Sequence, residues 1–154
     1  MKKEQARSIG LFFLLGFMDE RVALLAANRT IAQLKAEFPE ITLKNRDESL
    51  LPISSIIKAC RESWKIHRRQ IPRNQLIVPP EKAWVLPSGI DVRAWSRYQM
   101  DAADEDVMTL LFSVVLSFED AELAEGFQTS IGTIRYRLGK GIRQLVLIVH
   151  GGVS

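Results

Sequence analysis

The chain has 154 residues, 47% of them hydrophobic and 25% charged, with a formal net charge of +3. That balance is ordinary for a soluble globular protein, of one ordinary domain or two very small helical ones. A single cysteine, Cys60, excludes an internal disulfide, and His67 and His150 have no Cys or His neighbour at ligand spacing, so no metal site is expected.

The first stretch, "MKKEQARSIGLFFLLGFMDER", begins basic and turns apolar. Its apolar run, Ile9 to Met18, is too short to span a bilayer, which takes roughly 20 residues. Asp19-Glu20-Arg21 follow at once, with no small-residue cleavage site behind them. The run therefore reads as a buried helix of a cytoplasmic protein with no membrane contact. Gly16 punctuates the pattern, and Asp19 can cap a second helix through Leu34, with Val22, Leu25, Ala26 and Ile31 near one face.

"FPEITLKNRDESLLP" reads as a connecting loop, because Pro39 and Pro52 exclude a continuous helix. Ser54 or Ser55 can cap a third helix, "SSIIKACRESWKIHRRQ". Ile56, Ile57, Cys60, Trp64 and His67 or Arg68 fall on one side of it, and its end is basic at Lys65, Arg68 and Arg69. Cys60 within that stripe is expected to be a buried structural thiol. The basic cluster continues from Arg61 to Arg73, beyond what a helix dipole alone calls for.

Residues 71–97 form the clearest composition shift, with Pro72, Pro79, Pro80, Pro87 and Gly89. Leu76, Ile77, Val78, Trp84, Val85, Leu86 and Trp95 would be costly to leave wet, so the segment is expected to be an extended linker that packs on something. Helical pattern resumes at about Asp101. "DEDVMTLLFSVVLSF" opens with carboxylates suited to a helix N-terminus and continues apolar. The fold class expected is all-α: a helical domain over 1–70, a packed linker over 71–100, and a C-terminal helical domain over 101–154. No phosphate loop, no nucleophile–base set and no cofactor motif is present, so no enzyme activity is expected.

The last zone carries the functional signal. From Phe118 to Phe127, Phe118, Ala121, Ala124 and Phe127 recur at spacing three with Leu123 between them, while Glu119, Asp120, Glu122 and Glu125 face out. After "QTS", Thr129 or Ser130 can cap a further helix whose buried stripe is Ile131, Ile134, Leu138, Ile142 and Leu145. Thr133, Arg135, Tyr136, Arg137, Lys140 and Arg143 lie outside or beside that stripe. A helix-turn-helix has this arrangement because the first helix braces the second, whose N-terminal end enters the major groove. Short hydroxyls and arginines there reach phosphates or bases, and lysine adds charge. A solvated helical hairpin has the same composition.

"FEDAELAEGFQTSIGTIRYRL" is similar to the C-terminal DNA-binding domain of bacterial RNA polymerase sigma factors, especially the extracytoplasmic-function group. Asp120-Ala121-Glu122-Leu123-Ala124 matches the family's acidic helix, and Ser130 to Leu138 matches its "S-x-GTV-[KR]-x-RL" run without a gap. More loosely, "GFMDERVALLAANRTIAQLKAE" resembles the family's acidic clamp-binding helix, and "ISSIIKACRESWKIHRRQ" resembles the tail of its upstream domain, which looks truncated at its start. The resemblance implies a transcription initiation factor that binds core RNA polymerase and reads the upstream (−35) promoter element through Ser130, Thr133, Arg135, Tyr136, Arg137 and Lys140. It further implies an anti-sigma-type partner, and polymerase or single-stranded DNA contacts at Asp19, Glu20, Trp64, Lys65, Arg68 and Arg69. Trp64 is open to two readings, a core residue or a platform for base stacking. A stand-alone helix-turn-helix regulator with an N-terminal dimerisation module, and a sigma-like adaptor working through protein contacts alone, are the alternatives.

Two departures from the family pattern carry structural expectations. Gln128 stands in the turn where the family has glycine, so the corner is strained or reshaped. Gly139 and Gly141 stand where the family prefers Arg and Ala, at about 0.8–1 kcal/mol each relative to alanine in a helix.

Overall fold

The computed structural model of the chain describes residues 1–39, 50–71 and 92–151, which carry seven α-helices and no strand. In chain order they are α1 (Lys3–Phe17), α2 (Glu20–Glu37), α3 (Ile53–His67), α4 (Val92–Asp101), α5 (Asp104–Leu110), α6 (Asp120–Phe127) and α7 (Ile131–Gly151). A 3-10 turn, Arg68–Gln70, extends α3, and a π-helical turn, Leu111–Val115, extends α5. The chain is all-helical over the described residues, as its periodicities predict.

The break between α1 and α2 falls where Asp19 predicts it. Met18 turns left-handed at φ 54°, and the Asp19 carboxylate accepts from the Val22 N–H at 3.0 Å, capping α2. Gly16 does not break α1. It lets the Trp64 ring of α3 lie against the helix backbone. Most of the apolar run of α1 is core: Ile9, Phe12, Phe13, Leu15 and Phe17 are buried, and Leu11, Leu14 and Met18 are partly buried against them.

Helix α3 starts at Ile53, one residue before the expected serine cap, with Pro52 fixing the turn into it. Its buried face is the predicted one, Ile56, Ile57, Cys60 and Trp64, with Ala59 and Ser63 added. The Thr30 and Ser63 hydroxyls sit 2.7 Å apart between α2 and α3, and the Gln5 amide exchanges two 3.0 Å hydrogen bonds with the Leu51 backbone. These bonds satisfy polar groups that packing would otherwise strand.

The expected linker needs correcting at its C-terminal end. Residues 72–91, with Arg73, the four prolines, Gly89 and the apolar residues from Leu76 to Leu86, lie outside the described residues. From Val92 the chain is helical, and Ala94, Trp95 and Tyr98 are buried along α4. The indole N–H of Trp95 donates to the Leu15 carbonyl at 2.9 Å, and the Gln99 amide donates to the Gly16 carbonyl at 2.7 Å. The two side chains thus take up carbonyls at the end of α1 that the helix leaves open.

Buried residues from both sides of 72–91 belong to one hydrophobic cluster. Phe12 of α1 stacks on Phe112 of the π-helical turn, with ring centroids 4.3 Å apart, and Phe112 meets Phe127 of α6 edge-on. Ile57 of α3 fills the space beside Gly126 of α6. The α6–α7 pair is therefore seated on α3 and α5 rather than standing apart.

Candidate nucleic-acid interface

Helix α6 is held at its start by Glu122, whose carboxylate accepts from the Glu119 N–H at 3.0 Å. It buries Leu123, Ala124, Gly126 and Phe127, while Ala121, expected on the apolar face, is exposed. Its end is closed by Gln128 at φ 54° and ψ 49°, a left-handed residue whose N–H returns to the helix. The corner keeps the backbone that glycine favours, with glutamine carrying the strain. Ser130 then caps α7 as expected: its hydroxyl accepts from the Thr133 N–H at 3.1 Å and lies 2.9 Å from the Thr133 hydroxyl.

Along α7 the buried line runs through Ile134 and Gly141, with Leu138 and Leu145 partly buried on the same side. Ile131 and Ile142, expected in the stripe, lie at its margin and are exposed. Gly141 is a packing requirement, since a Cβ there would sit 2.8 Å from Leu110 Cδ1 and 3.0 Å from Tyr98 Oη. Opposite the buried line, helical spacing aligns Gly132, Tyr136, Gly139 and Arg143 as an outward ridge, with Tyr136 65% exposed.

The expected DNA contacts divide across this ridge. Ser130, Thr133 and Tyr136 stand at or near the exposed leading end. Arg135, with 71% of its side chain exposed, forms a 3.1 Å pair with Asp120 of α6. Arg137 and Lys140 turn to the opposite flank, toward α5. Arg137 Nη2 lies 3.0 Å from Glu105 Oε2, and Lys140 Nζ lies 3.3 Å from Asp106 Oδ2. Glu105 also takes Arg61 Nη2 of α3 at 3.1 Å, and both guanidinium groups lie over the Phe127 ring, at 4.7 and 5.6 Å. Arg61 donates as well to the Gly126 carbonyl at 3.3 Å. The acidic start of α5 is thus a docking strip for cations of α3 and α7. Arg143, absent from the expected set, sits on the ridge with no ion pair among the described residues. Its place eleven residues after Gly132 on the outward line is the sequence signal for it.

The second expected group disperses. Trp64 is 1% exposed and packed among Phe12, Phe17 and Gly16, so its ring cannot stack on a base; the core reading holds. Asp19 is a helix cap, and Glu20 lies in the first turn of α2. Lys65, Arg68 and Arg69 do come together, lining an open pocket of about 380 Å³ with Ile71 and Asp104. Within it Arg68 is buried, donating to the Ile71 carbonyl and lying 3.9 Å from Asp104, while Lys65 and Arg69 are exposed. Burial, and secondarily the Arg29 charge, hold the neighbouring His67 imidazole below its usual value.

Cys60 is fully buried, and that burial pushes its thiol well above the usual range. No group of three or more His, Cys, Asp or Glu among the described residues is arranged to hold a metal ion. No helix among them is long and apolar enough to cross a membrane. The chain matches no protein-family model, and neither a curated protein nor a solved structure matches it.

Proposed function

We propose that the chain is a sigma-like transcription initiation factor, binding core RNA polymerase and reading an upstream promoter element with α7. The observation that carries this reading is the ungapped run Ser130 to Leu138, in which Ile134 and Leu138 supply the seat and Ser130, Thr133 and Tyr136 stand at or near the exposed end. In this reading α6, the turn at Gln128 and α7 form a helix-turn-helix. Residues 101–154 are then the DNA-reading module and residues 1–70 the polymerase-binding module. Exposed Lys65 and Arg69 supply charge for the polymerase or the melted strand.

The test is association of the purified full chain with core RNA polymerase, with and without promoter DNA. A stable complex that directs initiation at a defined start site is the expected result. Absence of any association with the core enzyme defeats the initiation reading.

One observation favours a second reading, a sigma-like adaptor that works through protein contacts alone. Arg135, Arg137 and Lys140 are each already paired with a carboxylate of the chain. Polymerase-dependent activity that survives Tyr136→Ala and Arg143→Ala unchanged would select the adaptor.

A further inference from the structure

Two cations of α7 are held by α5 in a particular way. Each pair is half-buried: Asp106 is 11% exposed against 42% for Lys140, and Arg137 is 20% exposed against 44% for Glu105. Such pairs are screened less by salt than the surface pair Arg135–Asp120. A carboxylate so placed occupies its cation much as a phosphate oxygen would, with the same charge-assisted N–H···O contact.

Each carboxylate also has a second donor at hand. Glu105 is bound by Arg61 through its other oxygen, at 3.1 Å, so the loss of Arg137 does not leave it alone. The Tyr98 hydroxyl, a buried donor with no hydrogen-bond partner among the described residues, lies within the electrostatic reach of Asp106. Burial first and the Asp106 charge second push that phenol above its usual range, so it stays protonated and able to donate. Arg137 keeps one guanidinium nitrogen, Nη1, buried and without an acceptor among the described residues. Removing a cation from a buried carboxylate is ordinarily costly because a bare charge is left behind. Here that cost is reduced in advance.

We propose that Glu105 and Asp106 are a built-in phosphate surrogate, which masks Arg137 and Lys140 in the free protein and yields them to the backbone of bound duplex DNA. The proposal rests on the reading of α7 as a DNA-binding helix. It goes beyond that reading by assigning the chain an internal competitor for its own ligand. Tyr136 and Arg143 on the open ridge make the first contact. Arg137 and Lys140 are recruited afterwards, as phosphates replace the two carboxylates and Arg61 and Tyr98 take these up. Affinity for any duplex is then lower than the number of cations on the helix implies, and it rises when the surrogate is removed.

The experiment measures binding of the full chain to a mixed-sequence DNA duplex by fluorescence anisotropy over a range of salt concentrations. Glu105→Gln and Asp106→Asn are each expected to tighten binding about two- to fivefold, the range a partly exposed ion pair supports. Glu125→Gln removes the same charge from an exposed residue of α6 that holds no cation of α7, and it controls for the change in net charge. The gain from Asp106→Asn should vanish in a Lys140→Met background, which a general charge effect would not do. Circular dichroism on every variant confirms folding. If wild type binds and Arg143→Ala weakens it, yet Glu105→Gln and Asp106→Asn match Glu125→Gln, the masking is overturned while the DNA-binding reading stands. If neither wild type nor any variant binds duplex DNA, both fall together.

Discussion

The Trp64 ring lies so close to the Gly16 backbone that a methyl group at position 16 would sit 2.3 Å from Cζ3 and 2.8 Å from Cη2. Trp64 cannot retreat, because Phe12 and Phe17 pack around it at centroid distances of 5.5 and 4.9 Å. Gly16→Ala should therefore force α1 and α3 apart and cost about 1–3 kcal/mol. Urea unfolding monitored by tryptophan fluorescence reads this as a lower midpoint at unchanged slope.

At Gln128 the expectation has the opposite sign. The residue holds a left-handed conformation at φ 54° that glycine adopts without steric cost. Gln128→Gly should stabilise the chain by about 0.5–1 kcal/mol, the relief of strain exceeding the added entropy of the unfolded state. A thermal melt that moves down would contradict the account of the corner.

Alkaline pH should weaken the fold through two buried acids. Burial raises the Cys60 thiol above its ordinary value of 9.0 and the Tyr98 phenol above its ordinary 10.0, so the folded state binds protons that the unfolded state releases. Their contribution is fully present below those ordinary values and is lost as pH rises through and beyond them. Urea midpoints taken from neutral pH upward should decline once pH passes about 9, and Cys60→Ala should flatten the first part of that decline. In the folded chain at neutral pH, Cys60 should react with thiol reagents only as fast as the protein opens.

Arg143→Ala should weaken duplex binding without unfolding the protein, since the residue lies on the exposed ridge and holds no carboxylate among the described residues. The slope of log K against log salt should fall by about one phosphate contact. Arg137→Ala differs, because it also removes a partly buried pair with Glu105 and a contact with Phe127. It should cost about 1 kcal/mol of stability, visible in denaturant unfolding with no DNA present.

What the sequence made legible was local. The Asp19 cap, the apolar run of α1, the Ile56–Trp64 face of α3 and the Ser130 cap are each written in residues within one or two turns of each other, and each appears in the structure. Helix α4 was hidden because the prolines and glycine before it outweighed the Ala94, Trp95 and Tyr98 spacing. The pairing of Arg137 with Glu105, and of Lys140 with Asp106, spans more than thirty positions and depends on how α5 docks, which no local pattern records. Gly141 reads locally as a weakness of α7 for the same reason: its cause is the approach of Tyr98 and Leu110 from other helices. The spacing of Trp64 fits core and contact alike, and what decides it is the room that Gly16 leaves for its ring on another helix.

The seating of Gly126 on Ile57, and of Phe112 on Phe12, has a consequence for how the chain is made. Synthesis runs from the N-terminus, so α1 to α3 leave the ribosome before α5 and α6 exist to cover them. Until those helices emerge, Phe12 and Ile57 present apolar surface to the cell, the condition under which nascent chains aggregate or engage chaperones. The helix proposed to read DNA follows directly on those covering helices, and a chain whose translation stops before α5 would leave Phe12 and Ile57 uncovered.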